Sequence, residues 1–574
     1  MKYLPLIITL FLLPVHTGCG VNSGNSPVKI TDNKEILYNG IELPEIWPPL
    51  YPVPEKPQNM PVPYLENVPE IITINEGRQL FIDNFLIEKT DLVRTFHFPK
   101  YSSENPILKV DKPWEFTQEG YPYAAPFSDG VWYDEIDKKY KMWYSTGGGE
   151  YNKKVKRFYA VTAYAESEDG IHWKKPELDV VKGTNLVDIR TRDSNTMWLD
   201  KEEKDSMKRY KLFNVENDWE DGKFWRYVVK YSPDGIHWSK GISRSGRIGD
   251  RSTVFYNPFR NKWVFSIRTS VSGMRARNYF EHSDPELGVS LINNTSVKLA
   301  NKSDSIVYWL VPWENELRHP NPEYKEYTGI YNLDAIAYES LLLGYFSVWQ
   351  GPHNNICDSL GIQKRNEVAI GFSRDGFHWQ RPDMNRFFPV NEADGAWNQG
   401  NIQSACGVPL IVGDSLYFYI SGRRTCDSYW DACSSTGLAK LRRDGFASMD
   451  ANSDEGTLLT RKLTFDGEYL FVNADASQGE IFAEVLDKNG KPIRGFSKDK
   501  CKPVKINGTK TILKWEEGKT LKEYSGKPIK IKFYLKNASL YSFWVSKYKT
   551  GESGGYTSGG GPGLHPSGRD LPQK

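Results

Sequence analysis

The chain has 574 residues, too many for one ordinary core, so at least two domains with connecting segments are expected. Seventy-four Lys+Arg against 72 Asp+Glu leave a formal net charge of +2, which argues against a nucleic-acid footprint or an acidic-polymer binder. Eighteen Trp, 33 Tyr and 27 Phe beside 48 Gly and 34 Pro exclude a helical bundle and favour short strands, many turns and stacking surfaces.

At the N-terminus Lys2, an apolar run from Leu4 to Val15 and Thr17-Gly18-Cys19-Gly20 have the charge, core length and small-residue site of a secretory signal over residues 1–19. Cys19 after small residues resembles a bacterial lipobox, in which it would become the lipidated first residue, although His16 stands where Leu is usual. The destination is the bacterial cell envelope as an outer-membrane lipoprotein, with simple cleaved secretion as the alternative. No later stretch approaches the ~18 apolar residues of a spanning helix, so membrane contact is expected only through this anchor. Of the other cysteines, Cys357, Cys406, Cys426, Cys433 and Cys501, the pair Cys426 and Cys433 is close enough for a loop disulfide. None has thiolate or His partners at metal-ligand spacing, so neither metal nor cofactor is expected.

Residues 20–75 carry a proline cluster from Pro44 to Pro69, which blocks helix and sheet ladders and reads as a tether or wrapping arm. Trp47, Leu50, Tyr51 and Tyr64 give it apolar groups with which to lie on a folded body. An internal repeat follows. Ser167-Glu168-Asp169-Gly170-Ile171-His172-Trp173 recurs as Ser232-Pro233-Asp234-Gly235-Ile236-His237-Trp238 and Ser373-Arg374-Asp375-Gly376-Phe377-His378-Trp379, with a fainter copy at Arg442-Arg443-Asp444-Gly445-Phe446. The spacing of about 70 residues leaves one copy due near Asp304, with Ser283-Asp284-Pro285 as a rival. Strand-rich units at this period are the mark of radial repetition, a five-bladed β-propeller over residues 76–454. Asp and Gly of the repeat supply turn geometry and its Trp supplies packing; His172, His237 and His378 are structural. Alternating Ile529, Ile531, Phe533 and Leu535, with the Asn489-Gly490 turn, predict a β-sandwich over residues 455–548. The last 24 residues hold eight glycines, so the tail 549–574 is expected to be disordered. The fold class is all-β.

The stretches Gly77-Arg78-Gln79-Leu80-Phe81-Ile82-Asp83, Lys141-Met142-Trp143-Tyr144, Gly249-Asp250-Arg251-Ser252-Thr253, Ala337-Tyr338-Glu339-Ser340 and Leu441-Arg442-Arg443-Asp444-Gly445-Phe446 resemble the five-bladed propeller glycosidases, the superfamily of glycoside hydrolase families 32, 43, 68 and 117. The chain is most similar to secreted family-32-like proteins of Bacteroidetes and planctomycetes. The family's Asp-Pro-Asn-Gly nucleophile motif and Glu-Cys acid motif are absent, so fructoside specificity is not carried over.

The resemblance implies that innermost strands converge on an axial pocket, and glycosidic cleavage there needs one protonated and one ionised carboxyl. Asp250 ranks first, because Arg251 beside it can hold it ionised. Glu339 is second, as an acid desolvated by its apolar neighbours, and Asp193 is third, orienting substrate or tuning Glu339. Substrate-binding candidates are Arg251, Glu119, Glu281, Asp334, His353, Trp397, Gln399, Gln403 and Arg423. The expected activity is hydrolysis of an extracellular poly- or oligosaccharide. A glycan-binding lipoprotein without catalysis is the alternative, and a phosphorylase using Arg251, Arg275 and Arg277 is a third reading.

Overall fold

A computed structural model describes residues 29–31, 34–117, 121–148, 151–152, 157–158, 160–218, 224–292, 306–324, 328–424 and 433–573. The fold is all-β: helices among these residues are short, the longest being Pro285–Leu291 and Asn354–Leu360. No described helix is long and apolar enough to cross a membrane. Cys19, Glu119 and Cys426 lie outside the described residues, as does the repeat copy due near Asp304. Cys433 is in a disulfide, and Cys357, Cys406 and Cys501 are free and buried.

Antiparallel meanders follow the repeat. Val131–Asp134 pairs with Lys139–Thr146, which pairs with Ala160–Ser167. The long, bulged strand Leu186–Leu199 then pairs on one side with Ala160–Ser167 and on the other with Tyr210–Asp218, so two meanders fuse into one sheet. Thr253–Asn257, Lys262–Val271, Met274–His282 and Val307–Leu310 form a separate four-stranded sheet. Gly329–Glu339, Leu341–Trp349 and Asn366–Ser373 are joined through Asn401–Ser404 to Ser415–Arg424 and Cys433–Arg442. Lys100–Tyr101 pairs with Cys433–Arg442 while Ala124–Ala125 pairs with Lys139–Thr146, so residues 100–125 tie the last meander to the first.

The repeated turn joins one meander to the next. Asp234 Oδ1 accepts from the backbone N–H of Ile236 and His237, and its Oδ2 bonds His237 Nδ1 at 2.7 Å. The same set recurs at Asp169 and Asp375. Gly235 has φ 81°, and Trp143 of the preceding meander donates to its carbonyl at 2.7 Å. A Cβ there would lie 2.4 Å from the Trp143 ring, so this turn needs glycine for both its backbone and its space. Asp284, the rival repeat position, instead caps the helix Pro285–Leu291 through Leu287 N–H.

Two six-stranded sheets contain the C-terminal segments. Tyr469–Asp475, Asn507–Ile512, Ala538–Ser546 and Ala447–Ala451 lie in one; Gly456–Thr460, Ile529–Lys536 and Glu480–Asp487 lie in the other. Between them pack Leu458, Ile481, Val485, Ile531, Phe533, Leu540 and Phe543. Residues 72–96 belong here too: Gln79–Leu80 and Val93–Phe96 extend the first sheet, Ile72–Thr73 and Ile87–Thr90 the second. This corrects the expected start of the propeller segment at residue 76. The short strands are edges whose partners are 350 or more positions away in sequence, so no local pattern announces them.

The tail is also a correction. Tyr556–Thr557 pairs with Tyr338–Glu339, Gly559 N–H donates to Pro409 O, and Ile411 N–H donates to Gly560 O. A Cβ on Gly561 would stand 1.7 Å from Ile411 O. Composition suggested disorder, but here glycine lets backbone lie flush on backbone. The proline-rich arm likewise lies on the body: Tyr51 OH bonds His378 Nε2 at 2.7 Å, and Trp47 stacks on the Arg260 guanidinium at 4.7 Å.

Candidate functional site

The strand Gly329–Glu339 is buried throughout and carries a cluster of charged groups at each end. Tyr331 and Glu339 are eight residues apart, about 26 Å along an extended strand. Around Tyr331 lie Asp250, Arg251, Arg275 and Lys364: Lys364 Nζ is 2.9 Å from the phenol oxygen, and the Arg275 guanidinium lies 4.0 Å from the ring centroid. Asp250 sits 3.1 Å from Arg268 Nη1 and 3.5 Å from Arg275 Nη2. Asp193, from the start of the inner segment of the preceding meander, accepts from Arg251 N–H at 2.8 Å and lies 3.3 Å from its Nε. The structure therefore brings Asp193, Asp250 and Arg251 together.

Arg251 has φ 55°, a left-handed conformation that costs a non-glycine residue on the order of 1 kcal/mol. The bond to Asp193 and the stacking of its guanidinium 4.9 Å from the Phe127 ring offset that cost. Arg423 stacks on the same ring at 5.1 Å and donates to Tyr123 OH at 2.9 Å, so it joins the wall of the site. The side chains remain open to solvent in part: 27% for Asp250, 17% for Asp193 and 39% for Arg268.

The electrostatics follow from this crowding of cations. Burial works against the charge of Asp250, yet Arg275, Arg268, Arg251 and Lys364 together hold its carboxyl well below the usual range. Burial alone would raise a phenol, but Lys364, Arg275 and Arg251 outweigh it and bring Tyr331 down to about 7. Deeper in, Asp334 accepts from Asn332 at 2.8 Å and Ser404 at 2.7 Å; burial pushes it up to about 6. Asp129, enclosed and held by both terminal nitrogens of Arg192, is also pushed up to about 6 by burial. Arg277 is fully buried and donates to Ser266 and Tyr331 O, with burial bringing it down to about 9.

Glu339, expected as the acid, is at the other end. It is completely buried, paired with Arg78 and Arg443 and hydrogen-bonded by Ser553 of the tail at 2.6 Å. Burial does raise its pKa, so the desolvation argument holds for the group while its location removes it from the site. Glu281 pairs with Arg260, which also clamps Glu35 of the arm; it is a structural tie. Trp397 fills the space over Gly422 and Gly437, where added Cβ atoms would stand 2.3 and 2.1 Å from its ring. Gln399 bonds Asp394 and Gly395 within its own loop. His353 stands at the N-cap position of the helix Asn354–Leu360, its side chain making no capping bond and its ring lying 5.3 Å from Trp349. Gln403 is buried on the inner strand Asn401–Ser404. No group of three or more His, Cys, Asp or Glu among the described residues is placed to hold a metal ion.

Sequence reasoning missed Tyr331, Arg268, Lys364 and the Asp129–Arg192 pair. A strand-start acid pattern could have found Asp129 in Phe127-Ser128-Asp129-Gly130, which reads as a turn. Nothing in the local sequence marks Tyr331, since its character comes from cations on three other segments.

No family model and no curated protein matches the chain. Among solved structures it is similar to a β-1,2-mannobiose phosphorylase from Listeria innocua, at 13% identity and a TM-score of 0.38 over 61% of this chain and 97% of that one. A glycosyl hydrolase from Bacteroides ovatus gives 12% identity and 0.38 over 64% and 97%. An N-acetylgalactosamine deacetylase from F. plautii gives 13% and 0.35 over 65% and 96%. Likenesses this distant carry no assignment.

Proposed function

We propose that the protein is a glycan-active enzyme, a five-bladed β-propeller with an appended β-sandwich, that cleaves glycosidic bonds of an extracellular poly- or oligosaccharide. The observation that carries this reading is the pair Asp193 and Asp250, the first tied to Arg251 and the second to Arg268 and Arg275, open to solvent in part beside Tyr331. Asp250, held ionised by its cations, is the carboxylate that takes a proton from the attacking water. Tyr331, a phenol brought near neutrality, donates the proton that the leaving oxygen needs. The hydroxyl of water ends on the anomeric carbon, the glycosidic C–O bond breaks, and proton exchange with solvent restores both groups. Asp193 fixes Arg251 and orients substrate hydroxyls. Glu339 has no part in this chemistry. The signal-like segment supports delivery to the cell envelope, with Cys19 as the lipid anchor.

The test is to incubate the protein lacking residues 1–19 with plant, algal and host glycans, with and without phosphate, and to assay released sugar. Asp250→Asn is expected to lower turnover by about 10³-fold while ligand binding persists, the scale of losing a group that acts in the transition state. Unchanged turnover in that variant overturns the assignment. Binding without turnover in the parent protein favours a glycan-binding lipoprotein instead.

A further inference from the structure

Four cations, Arg251, Arg268, Arg275 and Lys364, face two carboxylates, Asp193 and Asp250, in the open site. That is an excess of two positive charges in a place partly withdrawn from water. The guanidiniums are also incompletely used. Arg275 Nε and Arg268 Nε are buried atoms with no hydrogen-bond partner among the described residues, and Arg275 Nη2 reaches only Asp250, at the 3.5 Å of a loose ion pair, although buried donors are almost always paired. Leaving one unmet forfeits the hydration of that group without return, and the loss is greater for a charged group. A neutral sugar hydroxyl can accept from such donors but cannot balance the charge; an oxyanion does both, and arginine forks match its geometry.

We propose that Arg268, Arg275 and Lys364, with Arg251 beside them, form the seat of an oxyanion that is either part of the glycan, as a carboxylate or sulfate, or a free phosphate that accompanies it. The inference deepens the glycan-active reading and rests on it for the sugar, but not for the anion. The phenol of Tyr331 is the seat's internal reporter. Its oxygen already accepts from Lys364 at 2.9 Å, and its low pKa records how strongly this place favours negative charge. An oxyanion that neutralises Lys364 and Arg275 must send Tyr331 back towards the ordinary phenol value.

The experiment titrates the protein lacking residues 1–19 with inorganic phosphate, with a uronic-acid oligosaccharide, with a sulfated one and with a neutral one, following heat of binding and tyrosinate absorbance. At least one oxyanion is expected to bind and to shift the tyrosinate transition to higher pH, with the shift absent in Tyr331→Phe. Lys364→Met, at a half-buried position, and Arg275→Gln should each weaken that oxyanion by about tenfold or more, as for a lost charge-assisted bond; thermal melts establish that each variant is folded. Phosphate alone giving these effects assigns the free anion, and the acidic sugar alone assigns the substrate. Binding of the neutral oligosaccharide with no oxyanion response overturns the seat and leaves the glycan reading intact. No binding of any probe overturns both.

Discussion

The two ends of the strand Gly329–Glu339 hold similar chemistry and use it differently. At the Glu339 end, Arg78 lies 3.0 Å from Asp444 and 3.4 Å from Glu339, while Arg443 reaches Glu339 at 3.0 Å and Asp570 at 3.2 Å. Asp444 also accepts from Tyr338, Ser542 and Asn473. Two arginines thus meet three carboxylates, almost all of them shut from water. At the Tyr331 end cations outnumber carboxylates and the side chains face solvent in part. The lesson is that burial with a shifted pKa does not by itself mark a functional acid. Glu339 has both and belongs to a joint between the meanders, the C-terminal sheets and the tail. What separates the two ends is whether the charges are already satisfied.

This contrast predicts where stability resides. Removing one partner from a closed charge network leaves the others buried and unpaired, which costs about 3–5 kcal/mol. Arg78→Met should therefore lose stability on that scale, since it strands Asp444 without an ion-pair partner, leaves Glu339 with Arg443 alone and also removes the stacking on Trp544 at 4.2 Å. Denaturant unfolding measures it. Arg275→Gln at the open end should change stability by less than about 1 kcal/mol, because the cation it removes is one of an excess. Equal losses at both ends would break the distinction.

The tail supplies the next largest effect. Gly561→Ala puts a methyl into Ile411 O, so the backbone contact must open; a loss of about 1–3 kcal/mol is expected, the cost of overpacking. Gly563, with nothing within 4 Å of its added Cβ but φ 77°, should lose less, about 1 kcal/mol, from backbone strain alone. Comparing their melting temperatures separates close approach from conformation.

How far the sequence reveals these arrangements depends on the range over which the causes act. The Asp-Gly turns are local: Asp234 bonds residues two and three positions on, so the motif and its geometry coincide. Hairpins such as Thr253–Asn257 with Lys262–Val271 are nearly local and read directly from alternation. Asp193 and Asp250 could be identified as strand-start acids, but Arg268, Lys364 and Tyr331 reach the same place from other segments, and no spacing encodes that convergence. Glu339 failed for the same reason in reverse. Its apolar neighbours indicate burial, while the end of the strand at which it stands depends on Arg78 and Ser553, more than 200 residues away in either direction.

The remaining effects concern pH, and they take opposite signs at neighbouring groups. Tyr331 is depressed in the folded state from 10.0 to about 7 by Lys364, Arg275 and Arg251, against burial and against the charge of Asp250. Folding therefore favours the phenolate: its contribution is complete above the unfolded value, shrinks as pH falls, and is gone below about 7. Asp334 is raised from 3.8 to about 6 by burial, against the hydrogen bonds of Ser404 and Ser128 and the more distant Arg277 and Arg251. Folding there favours the protonated acid, so its contribution is complete below the unfolded value and is lost as pH rises through about 6. Stability of the parent protein should thus decline between pH 4 and 6 on account of Asp334 and Asp129 and recover between 7 and 10 on account of Tyr331. Asp334→Asn is expected to lessen the first slope and Tyr331→Phe to flatten the second, each measured as the difference in unfolding free energy from the parent across pH. If Tyr331→Phe leaves the alkaline slope unchanged, the cations of the open end do not act on that phenol, and the charge excess there is screened by water.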